Sequence, residues 1–174
     1  MNREELGRRI YAAAHLTGEF VLRSGQTTNE YFDKYRFEAD PVLLDAVAVA
    51  MVPLVPADTA VLAGLEMGGI PVVTALGRRT GLPCAFVRKE AKAYGTRRLA
   101  EGAETAGRRV TIVEDVVTTG GQIVLSTQDL RALGAEITDA LCVINRNPIT
   151  PAPLTEAGLA LHALLTSEDL TPQS

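Results

Sequence analysis

Glu114 and Asp115 adjoin each other at the end of an apolar run, and Thr118-Thr119-Gly120-Gly121 follows three residues later. A strand passing through a Thr/Gly turn into a helix presents a row of backbone N–H groups at the helix N-terminus, where partial positive charge favours phosphate. The glycines admit an anion close to the backbone, and the threonines add hydroxyl donors. No lysine sits in the turn, which suits a phosphate monoester better than a triphosphate. Neither G-x-x-x-x-G-K-[ST] nor G-x-G-x-x-G occurs, which weighs against a P-loop and a dinucleotide fold. Two carboxylates beside an anion cradle make sense if they hold sugar hydroxyls, because a carboxylate only accepts hydrogen bonds. A ligand with a phosphate at one end and a vicinal diol at the other, such as ribose 5-phosphate, satisfies both halves. Fixed negative charge would also favour an oxocarbenium-like transition state over the ground state. The competing reading is an acidic pair exposed at a strand end or capping the next helix.

The elements that must position these residues follow from periodicity. Residues 3 to 16 predict a helix with Leu6, Ile10, Ala13 and Ala14 on one face. The polar, aromatic, Gly-punctuated stretch GEFVLRSGQTTNEYFDKYRF predicts short strands and turns in a small N-terminal subdomain. Asp40-Pro41 is an N-cap and N1 pair opening a helix over PVLLDAVAVAMV. Strands are expected at 61 to 66, 83 to 89, 109 to 117, 137 to 145 and 159 to 166. Helices are expected over IPVVTALGRR and over GGQIVLSTQDLRALG, the latter closed by Gly134. Near-continuous apolar strands alternating with helices imply an α/β fold, a parallel sheet flanked by helices on both faces. Ligands of such sheets bind beyond the carboxyl ends of the strands.

Composition narrows the classes. A chain of 174 residues fits one domain, and 47% hydrophobic with 22% charged residues is globular composition. The net charge of -4 argues against nucleic-acid binding. The start, MNREELGRRI, lacks the apolar core of a secretory signal. The longest uncharged apolar stretch, Ala46 to Ala57, contains two prolines and falls short of the roughly 18 residues of a membrane span. A cytoplasmic protein is expected. Cys84 and Cys142 lack any C-x-x-C spacing and read as small buried hydrophobes. His15 and His162 lie in apolar patterns and read as packing residues. Between Arg78 and Arg98, seven cations (Arg78, Arg79, Arg88, Lys89, Lys92, Arg97, Arg98) face one acid, Glu90. That segment suggests a polyanionic ligand, with a solvated basic loop as the alternative.

Val110 to Gln122 resembles the phosphoribosyl-diphosphate (PRPP) motif of the type I phosphoribosyltransferase family. GEFVLRSGQTTNEYFDKY, GLEMGGIP, FVRKEAKAYGTRRLAEG and LALHALLTSEDL resemble its orotate-specific branch, so that the likeness covers nearly the whole chain. The resemblance implies a PRPP-binding core over about residues 39–174 beneath a hood subdomain over about 1–38. It implies transfer of the phosphoribosyl group of PRPP to orotate, giving orotidine 5'-monophosphate and diphosphate in pyrimidine (UMP) biosynthesis. Mg2+ would be bound mainly through PRPP, with no direct protein ligation expected. Glu114 and Asp115 would hold ribose hydroxyls. Thr118, Thr119, Gly120, Gly121 and Gln122 would hold the 5'-phosphate, with Val116 and Val117 also among the PRPP-binding residues. Arg88, Lys89 and Lys92 would belong to a mobile loop that neutralises departing diphosphate and is shared across a homodimer, with Lys92 joining the acid pair as a catalytic group. Thr118, Arg146, Arg23, Tyr31 and Phe32 would contact orotate. Tyr94 stands where many relatives have a loop histidine, Met67-Gly68 where some have Tyr-Lys, and Asn145 where an Asp is common. A purine transferase of the same fold and a non-catalytic PRPP-sensing regulator are the rival readings. LRSG and Arg146 favour orotate over a purine, and the retained basic loop favours an enzyme.

Overall fold

Helix α1 spans Arg3–Ala14 in the computed structural model, which describes residues 1–22, 24–90 and 98–170. The Asn2 side chain caps it by accepting from the Glu5 N–H at 2.8 Å, and Leu6, Ile10 and Ala14 bury one face. The helix stops two residues earlier than its apolar spacing predicts. His15 donates its N–H back to the Tyr11 carbonyl and then turns extended, opening strand β1 (His15–Val21). That strand pairs antiparallel with β2 (Thr27–Phe32), the hairpin expected from the polar aromatic stretch. A single-turn helix α2 (Tyr35–Glu38) leads to α3 (Pro41–Met51). Asp40 caps α3 as its sequence predicts, with Oδ1 accepting from Val42 N–H at 2.9 Å and Leu43 N–H at 3.1 Å.

The main sheet then builds as β3 (Val61–Leu65), helix α4 (Gly69–Thr80), β4 (Cys84–Val87), β5 (Ala100–Gly102), β6 (Arg109–Val117), helix α5 (Gly121–Ala132) and β7 (Glu136–Asn145). Helix α6 (Ala152–Glu156), β8 (Ala160–Thr166) and α7 (Ser167–Leu170) complete it. Strand order is β5-β4-β3-β6-β7-β8, parallel throughout except for β5, which runs antiparallel to β4. The five parallel strands are those expected. The edge strand β5 is not, because three residues, Ala-Glu-Gly, carry no readable periodicity.

Both faces of the sheet are covered, which is why the strands read as continuous apolar runs. Leu62, Val113, Leu141 and Leu165 point to one side, where α1, α3 and α4 supply Leu6, Ile10, Val47, Met51, Val72 and Leu76. Ala63, Leu65, Ile112, Ala140 and Cys142 point to the other, against Ile123 and Leu130 of α5 and Leu154 of α6. Each fully buried Leu or Ile contributes roughly 1.5–3 kcal/mol relative to exposure. Cys142 is buried and Cys84 half-buried, both free. Their strands, β7 and β4, are separated by β6 and β3, which at about 4.8 Å per strand puts them beyond the roughly 7 Å a disulfide spans. Among the described residues no helix is long and apolar enough to cross a membrane.

The chain steps from β3 to β4 on one side and later places β6 on the other side of β3. A crevice therefore opens at the carboxyl ends of β3 and β6, where Glu66 to Gly68 and Glu114 to Gln122 emerge.

Candidate active site

The anion turn is built by backbone geometry. Gly120 adopts φ of 76°, and an added Cβ there would lie 2.8 Å from Leu154 Cγ, so both conformation and space require glycine. The first helical hydrogen bond of α5 runs from Val124 N–H to the Gly120 carbonyl at 3.1 Å. Amides ahead of it have no partner four residues back and are left for a ligand. Thr119 Oγ1 braces the turn by accepting from Gly121 N–H at 3.4 Å, and Gln122 Nε2 donates to Ser126 Oγ at 3.1 Å. Glu114, Val116, Val117, Thr118, Thr119, Gly120, Gly121 and Gln122 together line a cavity of about 110 Å3, room for a phosphate group.

The acid pair divides between two surroundings, because adjacent strand residues point to opposite faces. Glu114 lines the phosphate cavity. Asp115 is fully buried and turns toward Lys34, whose Nζ lies 2.6 Å from its Oδ2, while Oδ1 accepts from Val116 N–H at 2.6 Å. Gly68 makes this possible, since a Cβ at that position would stand 1.7 Å from Asp115 Oδ2. Burial and the neighbouring Asp115 carboxylate push Glu114 well above the usual carboxylate range. Burial alone would raise Asp115 as well, but the neighbouring Glu114 and Glu38 carboxyls and the Lys34 ammonium hold it below its ordinary value. The shared site thus pushes the two carboxyls in opposite directions, Glu114 toward its neutral form and Asp115 toward its charged one.

A second cavity, about 400 Å3, lies beside the first and is lined by Tyr11, His15, Glu30, Tyr31, Phe32 and Arg146 among others. The Arg146 guanidinium sits 5.0 Å over the Phe32 ring, a cation–π arrangement that leaves its edge donors for a planar ligand. Arg146 N–H donates to the Val117 carbonyl at 2.8 Å, and Asn147 Nδ2 donates to the Thr118 carbonyl. These bonds join the two cavities. Tyr31, Phe32 and Arg146 line one cavity together, and Thr118, expected at both ligands, lines the smaller one.

His15 packs as its apolar setting suggested, whereas His162 makes a polar contact. His15 stacks on Tyr11 with ring centroids 4.5 Å apart and faces the larger cavity. His162 Nε2 lies 2.8 Å from Asp139 Oδ1, beside the Arg109–Asp58 ion pair. At His162 the β8 strand turns a polar ring edge to a carboxylate out of an apolar run.

The cationic window is not one patch. Arg79 pairs with Asp45 across α4 and α3, and Arg98 with Glu104 at 2.7 Å. Arg88 and Lys89 extend from β4 toward the crevice, where Glu66 Oε1 accepts from Lys89 N–H at 2.6 Å. Arg23, Lys92, Tyr94 and Arg97 lie outside the described residues. Residue-by-residue reading missed Lys34 and Glu38, which flank the acid pair from α2; a Lys and a Glu four apart read as a solvated helix pair.

The match to known proteins is extensive. Residues 52–155 match the family model "Phosphoribosyl transferase domain". The chain is 53% identical to an orotate phosphoribosyltransferase of a Nocardioides species over 92% of this chain and 90% of that protein. It is 41% identical to an orotate phosphoribosyltransferase of Halobacterium salinarum, over 88% of this chain and 87% of the other. The crystal structure of Mycobacterium tuberculosis orotate phosphoribosyltransferase in complex with PRPP superposes with a TM-score of 0.78 at 26% identity, covering 97% of this chain and 91% of that one.

Proposed function

From the premise that the chain belongs to the orotate phosphoribosyltransferase family, we infer how its own residues carry out transfer of the phosphoribosyl group of PRPP to orotate. The single observation that supports the reading is the link between the two cavities: Arg146, lining the larger one, donates its N–H to the carbonyl of Val117, which lines the cavity at the Gly120 turn.

The 5'-phosphate sits on the amides of Thr118 to Gln122, and the ribose diol meets Glu114, with Asp115 buried beneath it against Lys34. Glu114, pushed toward its neutral form by burial and by Asp115, both donates to and accepts from a sugar hydroxyl. Orotate lies in the larger cavity against Tyr31 and Phe32, its carboxylate toward the cationic edge of Arg146. A ring nitrogen of orotate forms a bond to C1 of the ribose as the C1–oxygen bond to diphosphate breaks, the electron pair leaving with the diphosphate and the proton of the orotate ring N–H passing to that departing diphosphate. Positive charge builds on the sugar ring in between, and Asp115 holds the negative charge that opposes it. Arg88, Lys89 and Lys92 receive the departing diphosphate, and a loop that closes over it excludes water. Arg23 contributes to the orotate wall.

Among the described residues no group of three or more His, Cys, Asp or Glu side chains converges as a metal cage. With Asp115 tied to Lys34 and Glu114 pushed toward its neutral form, the donor set fits an Mg2+ carried in on the oxygens of PRPP. When bound, the ion neutralises diphosphate charge. We assign the β1–β2 hairpin and its flanking segments, about residues 1–38, as the hood over the base, and a cytoplasmic homodimer as the working form. Mixing purified protein with orotate, PRPP and Mg2+ should deplete orotate absorbance; depletion of adenine or hypoxanthine instead would favour a purine transferase.

A further inference from the structure

Glu38 is 6% exposed, and neither of its carboxyl oxygens finds a donor among the described residues. Such a group is expensive to bury unless it is neutral and itself donates. Its neighbour within hydrogen-bonding reach is Asp115. Lys34 approaches Asp115 Oδ2 as an ion pair off the hydrogen-bonding direction, which leaves that oxygen without a directed donor. A protonated Glu38 is the group in reach that supplies one. Gly68 closes the remaining side.

We propose that Glu38 is a positioning residue for the phosphoribosyl transfer: as a neutral acid it donates a hydrogen bond to Asp115 and, with Lys34, holds that carboxylate in place beneath the sugar. The proposal rests on the transfer reading above and adds a residue that reading does not use. Burial and the adjacent Asp115 carboxylate push Glu38 up to about 9, so it keeps its proton at neutral pH. The charged groups facing it are Lys34 from the preceding turn and Asp115 and Glu114 from β6. The packed faces of α1 and α3 turn only apolar residues and glycine inward.

Two substitutions separate hydrogen bonding from packing. Glu38→Gln keeps a neutral donor and should hold kcat within about threefold, whereas Glu38→Leu fills the space without a donor and should lower kcat about tenfold or more, with KM for PRPP changed by less than about threefold in either. Equal losses in the two variants, or a Leu variant as fast as the unmodified protein, would overturn the proposal. Stability of the ligand-free protein gives a readout independent of turnover. Between about pH 5 and 9 the folded state holds a proton on Glu38 that the unfolded chain releases, so stability falls as pH rises. Relative to Glu38→Gln, the folded-to-unfolded ratio of the unmodified protein should fall by up to about tenfold per pH unit; parallel curves would contradict a buried proton at Glu38. Should the unmodified protein fail to consume orotate, the transfer reading falls, and the pH comparison still decides whether Glu38 holds its proton against Asp115.

Discussion

Asp115 shows how little of a residue's role its type discloses. In sequence it is half of a matched acid pair; in the fold it is wholly buried, its charge balanced by Lys34, while Glu114 faces the phosphate cavity. The niche that permits this is made by Gly68, whose φ of -66° is ordinary, so its lack of a side chain matters for space alone. Gly68→Ala is expected to displace the Asp115 carboxylate, lowering kcat by about tenfold or more and stability by about 1–3 kcal/mol. Gly81 provides the control. Its φ of 76° ends α4 with no atom within 4 Å of an added Cβ. Gly81→Ala should cost about 1 kcal/mol of stability and spare turnover. Steady-state kinetics beside denaturant unfolding distinguishes the two; similar kinetic losses would remove the steric argument for Gly68.

Elements whose signal is local were legible in the sequence, and those that depend on distant partners were not. Asp40-Pro41 capped its helix as expected, and the run before Glu114 became β6 between β3 and β7, because capping chemistry and continuous burial are written in neighbouring residues. The Thr/Gly turn into α5 was legible for the same reason. Strand β5 and the early end of α1 at Ala14 were not, since both are set by pairing with β4 and β2. Lys34 and Glu38 were hidden for a related reason: α2 has only four residues, too few to show which face is buried. At this scale Gly120→Ala is the informative change. Strain at positive φ and a clash with Leu154 should together cost about 2–4 kcal/mol, and α5 should lose phosphate affinity through its tilted first turn. Unfolding curves and inorganic phosphate titration check it; a stable variant with unchanged phosphate affinity would separate the turn from anion binding.

For the whole molecule, the described part of the basic segment includes two pairs that serve the fold, Arg79–Asp45 and Arg98–Glu104, and Lys89 beside Glu66 at the crevice, while Lys92 and Arg97 lie outside the described residues. Charge counts along a chain do not distinguish these, because pairing is decided by α3 and by the β5 edge. If loop cations are shared between subunits, activity requires association. Light scattering should give twice the 18.5 kDa chain mass at assay concentrations, with specific activity falling on dilution below the association range. A fully active monomer would contradict sharing. The reach of the whole account can be tested by calorimetric titration of ribose 5-phosphate against its 2-deoxy analogue, which share a phosphate and differ by one hydroxyl. Because a charge-assisted hydrogen bond contributes about 1.5–3 kcal/mol, ribose 5-phosphate should bind roughly tenfold or more tightly; equal affinities would mean that the acid pair does not hold the diol.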